Sequence, residues 1–297
     1  MRYTSLLLVF GCLAACGRAS DPRATANGSE ADRPATSYDR QLVFVSDSAR
    51  PPVAAVFHFT AAGGADSVPR TARAWLERDS AWTPVLGMTW TGAPMREPWR
   101  LVPHGSLRLV VGDGDELEAL VYRAPDGFRL RPSPIIADWS PTATARFRLR
   151  EAEFLLPGDR FAGMLLDIQT LTVEPDSGAL NEAFLTDGNE LHLVIATPEA
   201  SAESSPAVRA WLRLRGGEET WDAVSLARDS ARAAWRLTEP GRSLSGMFHT
   251  LGRELVLAPE PTAPQDSAAV RIHVVTGWVE LRGERHDVIG VVRRGTR

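Results

Sequence analysis

Lysine is missing from all 297 residues, so each of the 33 basic side chains is an arginine. That excludes a Schiff-base lysine, a Walker phosphate-binding lysine and a Ser–Lys catalytic pair. Cysteine is almost missing too, since Cys12 and Cys16 are the only two. Past residue 16 no disulfide, cysteine nucleophile or thiolate-bound metal is possible. The six histidines, His58, His104, His192, His249, His273 and His286, show none of the H-x-H, H-x-x-x-H or H-E-x-x-H spacings of metal sites. No metal or other cofactor is expected. Gly241–Gly246 misses the G-x-S-x-G spacing of a hydrolase elbow by one residue. Asp113, Asp115, Glu116 and Glu118 crowd a Gly-rich turn but lack the EF-hand spacing, which reads as a solvated hairpin. Net charge is -4 with no basic block, so nothing favours nucleic acid. The apolar run Leu6–Ala15 falls well short of the roughly 20 residues that span a bilayer.

What is present begins at the amino terminus. A charged start at Arg2, a short apolar core and the small residues Ala14 and Ala15 describe an export leader, not a membrane helix. The run Leu13-Ala14-Ala15-Cys16 resembles the lipobox of bacterial lipoproteins. The resemblance implies removal of residues 1–15 and lipidation of Cys16, with Gly17 after it pointing to the outer membrane, facing the periplasm. The expected partner is then the membrane itself, held through acyl chains. Residues 16–38 carry no apolar periodicity, and three arginines balance three acids from Gly17 to Tyr38. Such a segment buries too little surface to offset its ordering entropy and reads as a tether reaching about 25 Å.

An internal repeat organises the rest. Shifted by 136 residues, 55–105 matches 191–241 without gaps, placing Arg73-Ala74-Trp75-Leu76 on Arg209-Ala210-Trp211-Leu212 and Trp99 on Trp235. Gly114–Leu117 matches Gly252–Leu255 at 138, and Glu153–Gly163 matches Glu280–Gly290 at 127. Two domains are expected, 39–175 and 183–297, joined by a linker over 176–182. The drop in offset assigns eleven extra residues to the first copy, expected as a loop over Gly127–Pro141.

Both copies read as β. Ala143, Ala145, Phe147 and Leu149 alternate with Thr144, Arg146, Arg148 and Arg150, the period of a half-buried strand. Leu107–Val111 and Leu117–Val121 flank a Gly-Asp turn, and Gly283-Glu284 separates Trp278–Arg282 from Asp287–Val292, two hairpin signals. No stretch holds a helical period, so the fold class is all-β, with two tandem antiparallel barrels or sandwiches. The two halves, each closing in a hairpin such as Gly277–Arg285 with Gly290 behind it, resemble the tandem lipocalin-like proteins related to carotenoid hydratase. That layout implies binding of an apolar ligand, or chemistry on one, and transfers no individual residue.

Nine tryptophans are the remaining resource. The repeated ones read as packing, although Trp211 shares a strand face with Arg209, Arg213 and Arg215 and could form a cation–π ladder. Unpaired Trp82, Trp90 and Trp139, with Asp138 beside the last, are the candidate ligand-binding residues. His58 and His192 fall on the same strand of their copies and could be neighbours. The expected function is a lipid-anchored, non-enzymatic binding module for an apolar or aromatic small molecule. The alternatives are an enzyme acting on a hydrophobic substrate and a structural lipoprotein that docks partners on open sheet edges.

Overall fold

Two-residue alternation carries the described segments of the chain into strands. The computed structural model describes residues 37–46, 52–61, 67–92, 105–112, 116–142, 145–172, 180–197, 208–229, 232–257 and 269–295. The first half contributes β1 (Ser37–Ser46), β2 (Ala54–Ala61), β3 (Val68–Arg78), β4 (Ala81–Gly92), β5 (Leu107–Val111), β6 (Leu117–Tyr122), β7 (Phe128–Thr142), β8 (Ala145–Leu156) and β9 (Asp159–Thr172). The second contributes β10 (Leu180–Thr186), β11 (Leu191–Thr197), β12 (Arg209–Leu214), β13 (Gly217–Trp221), β14 (Ser225–Asp229), β15 (Ala234–Thr238), β16 (Leu244–Leu257), β17 (Val270–Leu281) and β18 (Glu284–Gly295).

Each half is one nine-stranded antiparallel sheet. The orders are β4-β3-β2-β1-β9-β8-β7-β6-β5 and β13-β12-β11-β10-β18-β17-β16-β15-β14, the same topology twice. Leu86 and Trp90 from one edge strand share a core with Leu107 from the other, so the first sheet curls around its own inner face. The all-β, tandem lipocalin-like expectation holds, and each half is a curled sheet rather than a two-layer sandwich.

Alternation then places a second core outside the curl. In β1, Leu42 and Phe44 face inward, while Val43 and Val45 face the second half. In β9, Leu165 faces inward and Leu166 outward. The outward residues meet Phe184, Val194, Trp211 and Val274 of the second sheet in a shared junction core. Phe147 stands edge-on to Trp211 with centroids 5.9 Å apart, a geometry worth about 0.5–1.5 kcal/mol beyond the buried area. Pro34–Arg297 is accordingly one compact unit.

The duplication is real, but its alignment needs correcting. Trp75 pairs with Val56 and Trp211 with Val194, each on the third strand and each in the junction core. The turn Asp79-Ser80 keeps the 136-residue offset to Arg215-Gly216, and all four residues have positive φ. Beyond that turn the match fails. Trp235 lies on β15, a sixth strand, whereas residue 99 precedes the fifth strand and lies outside the described residues. Leu117 opens a sixth strand and Leu255 lies on a seventh, so that pairing is also wrong. The closing hairpins do correspond, but their turns, Pro157-Gly158 and Arg282-Gly283, are offset by 125 rather than 127. A two-residue slip escapes notice because it leaves every side chain on its proper face.

The length differences between the copies lie elsewhere than expected. Fourteen residues separate β4 from β5 against three between β13 and β14, and β4 has twelve residues against five in β13. In the other direction, twelve residues separate β16 from β17 against two between β7 and β8. Phe128–Thr142 is no loop but a fifteen-residue strand, its prolines absorbed by register shifts between Pro132 and Ile135 and between Trp139 and Thr142. Order also begins earlier than composition suggested, since β1 starts at Ser37 and Tyr38 is buried. At the far side β10 takes up the end of the expected linker.

Candidate functional site

The inner face of the first sheet has two chemically distinct zones. One is aromatic: Phe57 lies 5.2 Å from Phe128 and 5.7 Å from Phe154, and Phe44 lies 5.6 Å from Phe154. These rings pack edge-on and tilted, the arrangement their quadrupoles prefer. The other is ionic. Following β8 back from Phe154 and Ala152, the same face carries Arg150, Arg148 and Arg146. Following β1 back from Phe44 and Leu42, it carries Arg40, and following β9 on from Leu165, it carries Asp167.

Arg40, Arg148, Arg150 and Asp167 are 0, 1, 3 and 0 % exposed, so this zone is interior. Arg40 donates from Nε (2.9 Å) and Nη2 (2.6 Å) to the two Asp167 oxygens, a bidentate fork. Arg150 Nη1 donates to the carbonyls of Leu117 (3.1 Å) and Ser133 (3.4 Å). Its Nη2 faces Glu116 Oε2 at 3.8 Å, and neither Nη2 nor Nε makes a hydrogen bond among the described residues. Burial pushes the Arg150 guanidinium below its ordinary range, with Asp167 and Glu116 acting the other way. Buried cations of this kind are costly unless an anion or polar group meets them.

The residues singled out in the sequence do not converge on one place. Trp90 joins the inner core of the first sheet. Asp138 also faces inward: it accepts from Arg146 Nε at 2.8 Å and lies 3.6 Å from Arg148. Burial raises the Asp138 carboxyl, but Arg146, with Arg148 behind it, outweighs this and holds it below the usual range. Trp139, next in the strand, points the opposite way and donates to Glu218 Oε2 at 3.2 Å in the second half. Trp82 donates to the Arg253 carbonyl at 3.1 Å, again across the junction. Two of the four candidates therefore join the sheets. Cys16, His104, Asp113 and Asp115 lie outside the described residues.

The histidine pair does not form either. His58 lies 2.6 Å from Asp39, whereas His192 Nδ1 lies 2.8 Å from Thr186 Oγ1. Both sit on second strands, yet His58 pairs with Arg73 and His192 with Arg213 at different heights relative to the matched tryptophans. The proposed ladder around Trp211 is likewise replaced by its contact with Phe147; cation–π contacts occur instead at Trp235 and Trp278. Ser243, from the near-elbow sequence, is bound by its hydroxyl to Glu239 and Trp221.

Glu77 had drawn no attention in the sequence. It is buried on the junction face of β3, between Ala54 and Trp82 in register. Burial pushes its carboxyl up to about 7; the Ser80 backbone opposes this and Asp79 adds to it. A surface cleft of about 280 Å³ is lined by Ser133, whose carbonyl Arg150 meets, and by Glu151, Glu153, Gly163 and Gly188 among others.

No protein-family model matches the chain, and no curated protein matches it in sequence. Solved structures do. A Nitrosomonas europaea protein described as an AttH superposes over 96 % of this chain and 99 % of its own, at 14 % identity and a TM-score of 0.57. Kievitone hydratase from Nectria haematococca superposes over 86 % and 87 %, at 10 % identity and 0.56. At such identities the likeness is one of fold: this chain has the tandem lipocalin-like architecture of those proteins.

Proposed function

We propose that the chain is a lipid-anchored, cell-envelope binding module whose first half takes up an apolar or aromatic small molecule. The observation that carries this reading is the inner face of the first sheet, where packed phenylalanines adjoin the buried Arg40, Arg148, Arg150 and Asp167. An apolar body matches the rings, and a polar end matches the free donors of Arg150. Edge strands β4 and β5 are not hydrogen-bonded to each other among the described residues, which leaves a side of the curl for entry. Tryptophan fluorescence of the full chain, screened against fractions of an envelope lipid extract, tests it. One fraction should shift emission in the wild type and not in Arg150→Met. If no fraction changes the emission, the binding role fails.

Anchoring rests on the lipobox resemblance around Cys16. Cys16→Ser should leave the leader uncleaved and the protein without acyl chains, so detergent phase partition should move it to the aqueous phase. Processed, membrane-bound Cys16→Ser protein would contradict the anchor.

The second reading, an enzyme acting on a hydrophobic substrate, has one observation in its favour beyond the shared fold with a hydratase. Glu77 is a buried carboxyl poised near neutral pH beside Trp82 in register, a setting suited to general acid chemistry. This reading puts the substrate on the junction face of β3, away from Arg150, so consumption of a fraction by the wild type and by Arg150→Met, lost in Glu77→Gln, would favour it over simple binding.

A further inference from the structure

The second sheet carries polar groups that the first-half reading does not use. Trp235 on β15 pairs with Phe248 on β16, and Thr250 on β16 pairs with Val275 on β17. Phe248 and Val275 belong to the inner core of the second sheet, as does Trp235, so Thr250 faces inward with them. His273, two residues along β17 from Val275, shares that face. Trp235, Thr250 and His273 therefore run diagonally across three neighbouring strands, where diagonal neighbours are about 7–8 Å apart. The rings of Trp235 and His273 lean together over this line, with centroids 5.9 Å apart.

Interior polar atoms nearly always have partners, and here a group of them has none. Trp235 Nε1, Thr250 Oγ1 and both ring nitrogens of His273 are buried without a hydrogen-bond partner among the described residues. His273 is 2 % exposed. Its closest ionic neighbour is Glu254, 3.6 Å from Nε2 and itself hydrogen-bonded by Arg271. The surrounding charge is mainly positive, from Arg228, Arg271 and Arg294 against Glu254. Arg228 stands over the Trp235 ring at 5.8 Å from β14, the edge strand of the sheet, so the group adjoins an edge and is not sealed in the middle.

We propose that Trp235, Thr250 and His273 form a second binding site, separate from the first-half site, for the carboxylate of a small organic molecule. The indole N–H, the threonine hydroxyl and one imidazole N–H supply three donors, the set a carboxylate can accept together. Burial, with Arg228 next, holds the imidazole below its ordinary pKa, so His273 is neutral, with one donor nitrogen and one acceptor nitrogen. The positive surroundings select the charged oxygen over an uncharged one, and Phe248 and Val275 supply an apolar wall for the remainder.

Benzoate and its uncharged isostere benzamide, titrated separately into the full chain, test the site. Benzoate should shift the imidazole resonances of His273 saturably, and benzamide should bind about tenfold or more weakly, since a hydrogen bond to a charged oxygen is roughly twice as strong as one to an uncharged oxygen. In calorimetry, Trp235→Phe and the near-isosteric Thr250→Val should each weaken benzoate by a similar factor. Arg129→Gln, an exposed position in the other half, should leave it unchanged. The His273 resonances of the wild type decide the matter even where a variant folds poorly. Three results would overturn the proposal: resonances indifferent to benzoate, which leaves ordered water alone as the partner; equal binding of benzamide; or full affinity in Trp235→Phe and Thr250→Val.

Discussion

Glu77 and His192 pull the stability of this protein in opposite directions as pH changes. The Glu77 carboxyl is raised by burial to about 7 in the folded chain, against about 4.3 unfolded. Its contribution is complete below the unfolded value and is lost as pH rises through 7. Burial pushes the His192 imidazole down to about 4, with Asp187 opposing and Arg213 adding. Its contribution is complete above the unfolded value of about 6.5 and is lost as pH falls toward 4. Between roughly pH 4.5 and 6.5 the two slopes offset one another. Melting temperatures from pH 4 to 8 should therefore separate the variants. Glu77→Gln should melt progressively lower than wild type shows as the medium is acidified from 6.5, and His192→Gln should lose stability as pH rises from 4.5. Parallel profiles for wild type and both variants would refute the pairing. The sequence leaves Glu77 unmarked and marks His192 only for a pairing with His58 that does not form, because an isolated Glu or His reads the same exposed or buried. The arginines of β8 are more instructive. Arg146, Arg148 and Arg150 alternate with Ala145, Phe147 and Leu149 as the polar side of a half-buried strand should, yet Arg148 and Arg150 are interior. Period two names the faces of a strand but not which of them meets water, and in this strand neither does over most of its length.

At the scale of elements, the joint between the halves is a hairpin tip pressed on a glycine. The Arg253 N–H donates to the Ser80 carbonyl at 3.2 Å, and a Cβ on Gly252 would lie 2.7 Å from the Ser80 Cα and carbonyl oxygen. Gly252 also has a φ of 63°, a conformation that costs an L-residue about 1–2 kcal/mol. Gly283, with a φ of 88°, has open space where its Cβ would be. Gly283→Ala should thus show the backbone cost alone, and Gly252→Ala a larger loss in chemical denaturation. Equal losses would mean that the tip is not held against β16. Hairpins were the most legible elements. Leu107–Val111 with Leu117–Tyr122 pairs as its turn residues announce, and the closing hairpin forms as expected, although it turns at Arg282-Gly283, one residue before Gly283-Glu284. Local turn chemistry writes such features into a few adjacent residues. Insertions are written nowhere locally, so the extra length is expected at proline-bearing β7, whereas it falls in β4 and the connection from β4 to β5.

For the whole molecule, duplication gave the architecture while hiding its unity. Each half has an inner core of its own, as two repeated segments lead one to expect. The junction core draws on both, with Val43, Phe147, Leu149 and Leu166 on one side and Val194, Trp211, Ile272 and Val274 on the other. Nothing in the strand pattern distinguishes an apolar residue bound for a junction from one bound for its own core, so this third core was invisible beforehand. Residues 37–172 produced alone should consequently self-associate, and adding a separately produced 180–297 should restore a one-to-one complex by light scattering. A monomeric, stable 37–172 would show that the junction is dispensable. The pairing of β1 with β9 also bears on folding time. Ser37 meets Thr172 and Val45 meets Met164, contacts between residues far apart in sequence, and such contacts slow folding because long loops must close first. Until β9 arrives, β1 offers one unpaired edge, and the first half cannot close before its last strand is available.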